Sequence, residues 1–229
     1  MTGLAHRATA DEQMDAADLD PATYAALIAD LAKVNRLTLS YRPTLRFLAR
    51  AVPPRTAFRL LDVGFGHGDM LRAIAGWARR TRRPAQLTGI DLNPRSAPVA
   101  RAATPPDLPI DYRTGDYAAL GGAYDLIASS LVAHHMSEEQ LIAFLRFMEA
   151  TAARGWIVND LHRHRLAHLG YPVLARAMRW HRIVREDGRL SIARGFRPAE
   201  WQALLARAGI EGARIVRRFP FRLCVERIR

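Results

Sequence analysis

The chain has 229 residues, of which 49% are hydrophobic and 24% are charged, a composition typical of one globular domain with a sizeable core. It has no apolar run that could span a membrane, a single cysteine and no signal-peptide pattern, so we expect a cytoplasmic protein. The net charge of +12 raises the question of nucleic-acid binding, but the arginines are scattered and lack interleaved aromatic residues. A nucleic-acid partner is therefore disfavoured.

Helical patterns dominate the first quarter of the chain. Residues 1–20 are polar and rich in alanine and acidic residues, and we predict a flexible N-terminus there. Asp20-Pro21 is typical of a helix start, and apolar residues recur at helical spacing as far as Val34. A second helix is predicted over residues 41–51 and ends before Pro53-Pro54.

Strands and helices then alternate, which predicts a parallel sheet covered on both faces. The predicted strands are 59–63, 86–91, 110–114, 124–129 and 155–159, and the helices between them are 69–80, 97–103 and 137–152. Residues 161–195 are predicted to be a helical insertion with a turn at Gly188, and a helix follows at 198–208. Strands 213–219 and 221–227 are predicted to form an antiparallel hairpin at the sheet edge. The predicted fold is α/β and doubly wound, with seven mostly parallel strands and an antiparallel last strand.

Acidic residues and glycines follow the first three strands of this pattern. The first strand runs into Asp62-Val63-Gly64-Phe65-Gly66-His67-Gly68, which differs from the G-x-G-x-x-G pattern of dinucleotide sites. Asp91 ends the second strand, where a carboxylate can accept hydrogen bonds from both hydroxyls of a ribose. Gly115-Asp116-Tyr117 follows the third strand, where an acid can accept a hydrogen bond from the exocyclic amine of an adenine. The carboxyl ends of parallel strands meet at one sheet edge, so these residues predict one ligand site.

These segments, with YDLIASSLVAHHM after them, resemble the successive motifs of class I S-adenosylmethionine (SAM)-dependent methyltransferases over residues 24–227. The resemblance implies a Rossmann-like fold, SAM as cofactor and a single domain at 21–229. It also implies cofactor contacts, which we carry to Asp62, Gly64, Gly66, Gly68, Asp91, Leu92, Asp116, Tyr117, Ser130 and Arg36. A dehydrogenase-like NAD-binding protein and a SAM-binding protein without turnover remain alternatives.

The acceptor is less well defined by the sequence. The loop after the fourth strand is Ser-Ser-Leu-Val rather than N/D-P-P-Y/F, and Cys224 lies in a predicted edge strand, so base amino groups and cytosine C5 are disfavoured. The apolar residues of 161–195 predict a cap over a flat hydrophobic acceptor. This stretch also resembles methyltransferases encoded beside bacterial polyketide synthases. We expect methylation of oxygen or activated carbon on a small molecule, with the hydroxyl of a polyketide- or quinone-like molecule favoured and RNA methylation as the alternative.

Several titratable residues follow the fourth and fifth strands. Histidine has a pKa near neutrality and suits proton removal from a phenol. We therefore predict that His134, His135 or His162 acts as general base, with Asp160 or simple proximity as the alternative. The His134-His135 pair is also compatible with plain packing at a helix start. The spacing of the histidines after the fifth strand fits no recognised zinc pattern, so no metal is predicted.

Overall fold

One seven-stranded sheet forms the centre of the computed structural model, which describes residues 4–16 and 18–229. Its strands are β1 (Phe58–Val63), β2 (Ala85–Asp91), β3 (Ile110–Thr114), β4 (Tyr124–Ser130), β5 (Ala152–Leu161), β6 (Arg214–Arg218) and β7 (Arg222–Ile228). They lie in the order β3-β2-β1-β4-β5-β7-β6. Strands β1 to β5 are parallel, whereas β7 is antiparallel to both of its neighbours. The predicted doubly wound, mostly parallel fold is confirmed.

Helices cover both faces of this sheet. They are α1 (Pro21–Leu37), α2 (Tyr41–Ala51), α3 (Asp69–Arg80), α4 (Ser96–Ala102), α5 (Glu138–Thr151), α6 (Arg165–Ala177), α7 (Arg182–Arg194) and α8 (Pro198–Ala208). Adjacent strand residues serve opposite faces, since Leu60 packs with the α2 and α3 side and Leu61 with the α5 and α8 side. Both leucines are fully buried, which explains the continuous apolar runs of the central strands. No helix of the described residues is long and apolar enough to cross a membrane.

Three helices form a separate cap. Helices α1, α6 and α7 share a buried cluster made by Leu27, Val34, Ala175, Trp180, Ile183 and Val184. The strand order reverses between β1 and β4, which leaves a crevice at the carboxyl ends of these strands, where α/β sheets bind ligands. The cap and the strand ends enclose this crevice.

The insertion differs internally from the sequence prediction. Strand β5 extends to Leu161, and the two inserted helices begin at Arg165 and Arg182. Gly188 lies within α7 rather than in a turn. A Cβ at this position would stand 2.2 Å from the ring of Tyr171 on α6, so a larger residue would not fit here. The glycine thus allows close packing of the two helices.

The hairpin and the N-terminus also differ from expectation. The hairpin forms, but β7 lies between β5 and β6, so Cys224 is buried inside the sheet rather than on an edge strand. Residues 4–16, in the segment that was predicted to be flexible, contact the rest of the fold. Arg7 lies over the ring of Phe196 at 4.1 Å, and Glu12 is 4% exposed and accepts a 2.8 Å hydrogen bond from Ser191. The partners are more than 170 residues away in the sequence, so no local pattern reveals these contacts.

Candidate active site

The loop after β1 turns through three glycines. Gly64, Gly66 and Gly68 have φ angles of 77°, 50° and 76°, which only glycine adopts readily. At Gly64 a Cβ would also lie 2.3 Å from a methyl group of Val132, whereas at Gly66 it would meet nothing within 4 Å. Gly64 and Gly66 line the crevice, so the loop presents bare backbone to it.

Asp62 lies beneath this loop and is 1% exposed. Its Oδ1 atom has no hydrogen-bond partner among the described residues, and the side chain lines the crevice. Burial, followed by the charges of Asp69 and Asp91, raises its pKa well above the ordinary value. A buried carboxylate without a donor is unfavourable, so this atom suits a ligand that brings a positively charged donor.

Asp91 ends β2, and its carboxylate links the glycine loop after β1 to the loop after β2. Its Oδ2 accepts a 2.8 Å hydrogen bond from the Gly66 amide, and its Oδ1 accepts one of 2.9 Å from the Asn93 amide. Burial raises the pKa of Asp91 although both amides oppose the shift. Asp91 lines the crevice, whereas the adjacent Leu92 is 71% exposed and lies outside its lining.

Asp69, at the start of α3, accepts hydrogen bonds from residues of α1 and α2. Its Oδ2 accepts hydrogen bonds from the side-chain amide of Asn35 at 3.0 Å and from the Tyr41 hydroxyl at 2.8 Å. Burial and then the charge of Asp69 raise the pKa of Tyr41, which therefore stays protonated. These three residues line the crevice, whereas Arg36, on the same helix as Asn35, is exposed and lies outside its lining.

The remaining predicted cofactor contacts divide between the crevice and the surface. Ser130 is half-buried and lines the crevice. Asp116 is exposed, and its carboxylate accepts a hydrogen bond from the Ala118 amide at 2.9 Å. The ring of Tyr117 packs against Phe144 and Phe147 at centroid distances of 4.9 and 4.8 Å. Neither Asp116 nor Tyr117 is among the described residues that line the crevice.

His134 and Asp160 form a buried pair at the ends of β4 and β5. His134 is 3% exposed, and its Nδ1 lies 2.7 Å from Oδ1 of Asp160, which is fully buried. The other Asp160 oxygen accepts a hydrogen bond of 3.1 Å from the His134 backbone amide. Burial acts to raise the pKa of Asp160, but the charge and hydrogen bonds of His134 and the Leu161 amide outweigh it, and the pKa is lowered. Asp160 thus orients the His134 ring through Nδ1, and Nε2 lies on the opposite side of the ring, toward Glu12.

The capping box of α5 fixes the loop that carries this histidine. The Ser137 hydroxyl accepts from the Gln140 amide at 3.2 Å, and the Gln140 side chain accepts from the Ser137 amide at 2.9 Å. This arrangement ends the loop at a defined helix start. The loop thus holds His134 and His135 beside β5.

Two acids of the N-terminal segment face these histidines. Glu12 lies 3.6 Å from His134 Nε2 and 3.9 Å from His135 Nε2, and Asp15 accepts from His135 Nδ1 at 2.8 Å. Burial acts to lower the pKa of His135, but Asp15 and Glu12 outweigh it and raise the pKa. Glu12, His134 and His135 lie close enough together to hold a metal ion. The Ser191 hydroxyl also donates a 2.8 Å hydrogen bond to Glu12 Oε1 in this cluster.

His162 lies at the outer end of the crevice. Its backbone amide donates to the Phe221 carbonyl at 2.9 Å, and its half-buried ring lies 5.4 Å from that of His164. Burial and then the charge of Arg217 lower the pKa of His162. The structure thus brings all three predicted base candidates to the crevice, but only His134 has a buried carboxylate that orients its ring.

The crevice is a cavity of about 600 Å³ with a polar end and an apolar end. Gly64, Gly66, Asp62, Asp69 and Asp91 form the polar end. The apolar end is lined by residues of α1, α6 and α7, namely Leu27, Ile28, Leu31, Leu166, Tyr171, Leu174, Ile183 and Val184. Other apolar residues predicted to line the cap, Leu169, Val173 and Met178, are exposed instead.

Sequence reasoning missed several residues that line this cavity, among them five that carry polar groups. They are Glu12, Asp15, Tyr41, Asp69 and Arg222. Asp69 directly follows the glycine loop and could have been found from that position. The other four come from distant segments and carried no local signal, because neither the N-terminal segment nor the start of β7 contains a recognisable motif.

One family model and several solved structures are similar to this chain. The methyltransferase domain family matches residues 60–155, which span most of β1, the glycine loop, β2 to β4, the His134-His135 loop and the start of β5. A search of curated proteins finds no match to the chain.

Several solved structures share the fold at low sequence identity. Magnesium protoporphyrin IX methyltransferase from Synechocystis PCC 6803 with bound SAM is 16% identical, with a TM-score of 0.57 over 88% of this chain and 83% of that one. Human N-acetylserotonin methyltransferase in complex with SAM is 15% identical, with a TM-score of 0.64 over 92% and 56%. A SAM-dependent methyltransferase from Aquifex aeolicus is 16% identical, with a TM-score of 0.61 over 91% and 98%. Residues 60–155 thus match a methyltransferase domain model, and the chain shares the fold of these methyltransferase structures, which is the fold that its motifs predicted.

Proposed function

We propose that the protein is a SAM-dependent methyltransferase that methylates a hydroxyl group of a small, hydrophobic and aromatic acceptor. One observation carries this proposal. A single cavity has the glycine loop and the unpaired Asp62 at one end, and apolar walls beside the His134–Asp160 pair at the other. A methyl donor and an apolar acceptor would meet between these ends. The structural neighbours crystallised with SAM, whose names refer to magnesium protoporphyrin IX and N-acetylserotonin, support a small-molecule acceptor.

The polar end fits SAM in its chemistry. The unpaired Oδ1 of Asp62 would accept from the amino group of the methionine part, and Gly64 and Gly66 allow that part to approach the backbone. Asp91 would accept from the ribose hydroxyls, as carboxylates at this strand end do in this type of sheet. When bound, SAM supplies an electrophilic methyl group on a sulfonium sulfur.

The His134–Asp160 pair would remove the acceptor's proton. Asp160 keeps the proton on Nδ1, so Nε2 of His134 is free to accept the hydroxyl proton as the new bond to carbon forms. Glu12, 3.6 Å from Nε2, would stabilise the imidazolium that results. Such a base contributes about 10²–10⁴ in rate.

The apolar walls favour a flat, uncharged reacting centre. Apolar side chains from α1, α6 and α7 line this end of the cavity, and an oxygen that acquires negative charge next to a sulfonium reacts faster in apolar surroundings. A polyketide- or quinone-like ring with a hydroxyl group fits walls of this kind better than a sugar does. We therefore favour a phenolic or quinone-like acceptor.

Labelled SAM tests this proposal. The protein is incubated with methyl-labelled SAM and with separate pools of phenolic metabolites, quinones, tRNA and ribosomal RNA, and each pool is analysed for label. We expect transfer to the phenolic or quinone pool, lost in the H134Q variant. Transfer to RNA alone would contradict the acceptor class. Tight NADH binding without SAM binding would support a dehydrogenase-like protein, and SAM binding without transfer to any pool would support a SAM-binding regulator.

A further inference from the structure

An arginine-lined cleft joins the outer end of the cavity. Six arginines line it, contributed by the start of α6, the start of α8, the hairpin and the segment before α6: Arg163, Arg165, Arg197, Arg217, Arg218 and Arg222. Two histidines, His162 and His164, lie among them, and none of the described residues that line the cleft is acidic. This concentration of positive charge forms on one side of the molecule from segments about 50 residues apart in the sequence.

Some of these charges are already neutralised. Arg163 lies 2.5 Å from Glu200, and Arg218 lies 3.8 Å from Glu226. The guanidinium groups of the other four, Arg165, Arg197, Arg217 and Arg222, have no carboxylate within 4.0 Å among the described residues. The cleft therefore keeps a net positive charge that its own acids do not balance.

Arg222 is the most unusual member of this set. It is 3% exposed, and its Nη2 donates to the Thr38 hydroxyl at 3.2 Å, while Nη1 has no hydrogen-bond partner among the described residues. A buried guanidinium nitrogen without an acceptor is unfavourable and suits an anionic ligand. Arg222 lines both the main cavity and the cleft, as do His162, Leu166 and Phe221. These four residues form the junction between the two spaces.

The positive charge of the cleft also affects the pKa of His162 at the junction. Burial comes first among the causes that lower the pKa of His162, and the charges of Arg217, His164, Arg197 and Arg163 lower it further. Exposed apolar side chains, Leu169 and Phe219, lie beside the arginines. The cleft thus combines apolar contact surface with free cationic groups.

We propose that the acceptor carries an oxyanion group, a phosphate ester or a carboxylate, which the cleft binds while the acceptor atom lies in the main cavity. This inference rests on the proposed function for the location of the reaction, but the anion site itself does not depend on it. Arg222 at the junction would bind the part of the anion nearest the reacting ring. Arg165 and Arg217 would bind its outer end. The acceptor is then a molecule with an apolar head and an anionic tail.

Calorimetric titration with two simple anions tests the site. Inorganic pyrophosphate represents a phosphate ester and citrate represents carboxylates. We compare the wild type with R165Q/R217Q, which removes two exposed cleft charges, and with R80Q/R82Q, which removes two exposed charges at the far end of α3. We expect wild-type binding that is about tenfold or more weaker in R165Q/R217Q and unchanged in R80Q/R82Q. Pyrophosphate as the tighter ligand would identify a phosphate, and citrate a carboxylate.

Absence of binding to the wild type, or equal weakening in both double variants, would overturn the anion site. SAM affinity is measured on the same samples. Failure of the proposed function would appear as absent SAM binding, which involves the opposite end of the cavity. The two failures are therefore distinguishable.

Discussion

The two ends of the cavity are built from the chain in different ways. The proposed cofactor end comes from residues at or near strand ends, such as Asp62 near the end of β1 and Asp91 at the end of β2. The proposed acceptor end combines the N-terminal segment, three cap helices and the start of β7. A ligand with constant chemistry can be recognised by one short loop and two strand ends, whereas a particular acceptor requires side chains gathered from the whole chain.

This contrast explains what the sequence could predict. The glycine loop was predicted because its backbone conformation restricts residue choice, as the φ angle of 77° at Gly64 does. The sheet was predicted because its strands are apolar on both faces. His134 was a candidate among three, and its selection needed the 2.7 Å contact with Asp160, 26 residues away. Glu12 and Arg222 could not be predicted, because their burial depends on tertiary packing alone.

Substitution of His134 should have the largest effect on the acceptor end. In H134Q the base is lost, so we expect kcat to fall by about 10²–10⁴ while SAM affinity stays unchanged. The measurement is steady-state transfer to the acceptor pool together with calorimetry of SAM. H168Q serves as the control, since His168 lies on α6 outside the cavity lining and should keep full activity. Near-full turnover by H134Q would show that proximity or Asp160 is sufficient.

Substitution of Asp91 should have the largest effect on the cofactor end. D91A removes a charged acceptor from the ribose hydroxyls, which should cost about 1.5–3 kcal/mol of SAM binding free energy. It also removes the acceptor of the Gly66 amide, so the loop loses a 2.8 Å hydrogen bond. Calorimetric titration with SAM measures the loss, and thermal denaturation checks that the variant is folded. Unchanged SAM affinity would contradict the assignment of Asp91.

The N-terminal segment should confer a pH-dependent part of the stability. His135 has a raised pKa in the folded state because Asp15 and Glu12 outweigh burial and the nearby Arg194. Its contribution is therefore fully present below its unfolded pKa of about 6.5 and is lost as pH rises through the higher folded value.

The test compares the Tm of wild type and H135Q from about pH 5.5 to about pH 9. We expect wild type to be the more stable by a few degrees at the acid end, and the difference to shrink as pH rises. The ring of His134, 4.3 Å from that of His135, is present in both proteins and cancels in the comparison. A difference that grows with pH would show that His135 is neutral in the folded protein and that Asp15 does not bind it as an ion pair.

Asp116 should have the smallest effect, although the family resemblance assigns it to the adenine. Its carboxylate is exposed and accepts the Ala118 amide, so water and backbone already compete for it. An exposed hydrogen bond contributes about 0.5–1.5 kcal/mol at most, and D116N retains one acceptor oxygen, so we expect SAM affinity to fall by no more than roughly fivefold. D116N is measured beside D91A in the same calorimetric titrations. A loss in D116N as large as that in D91A would show that β3 and its following loop close over the cofactor, and that the cofactor end extends beyond the cavity between β1 and the cap.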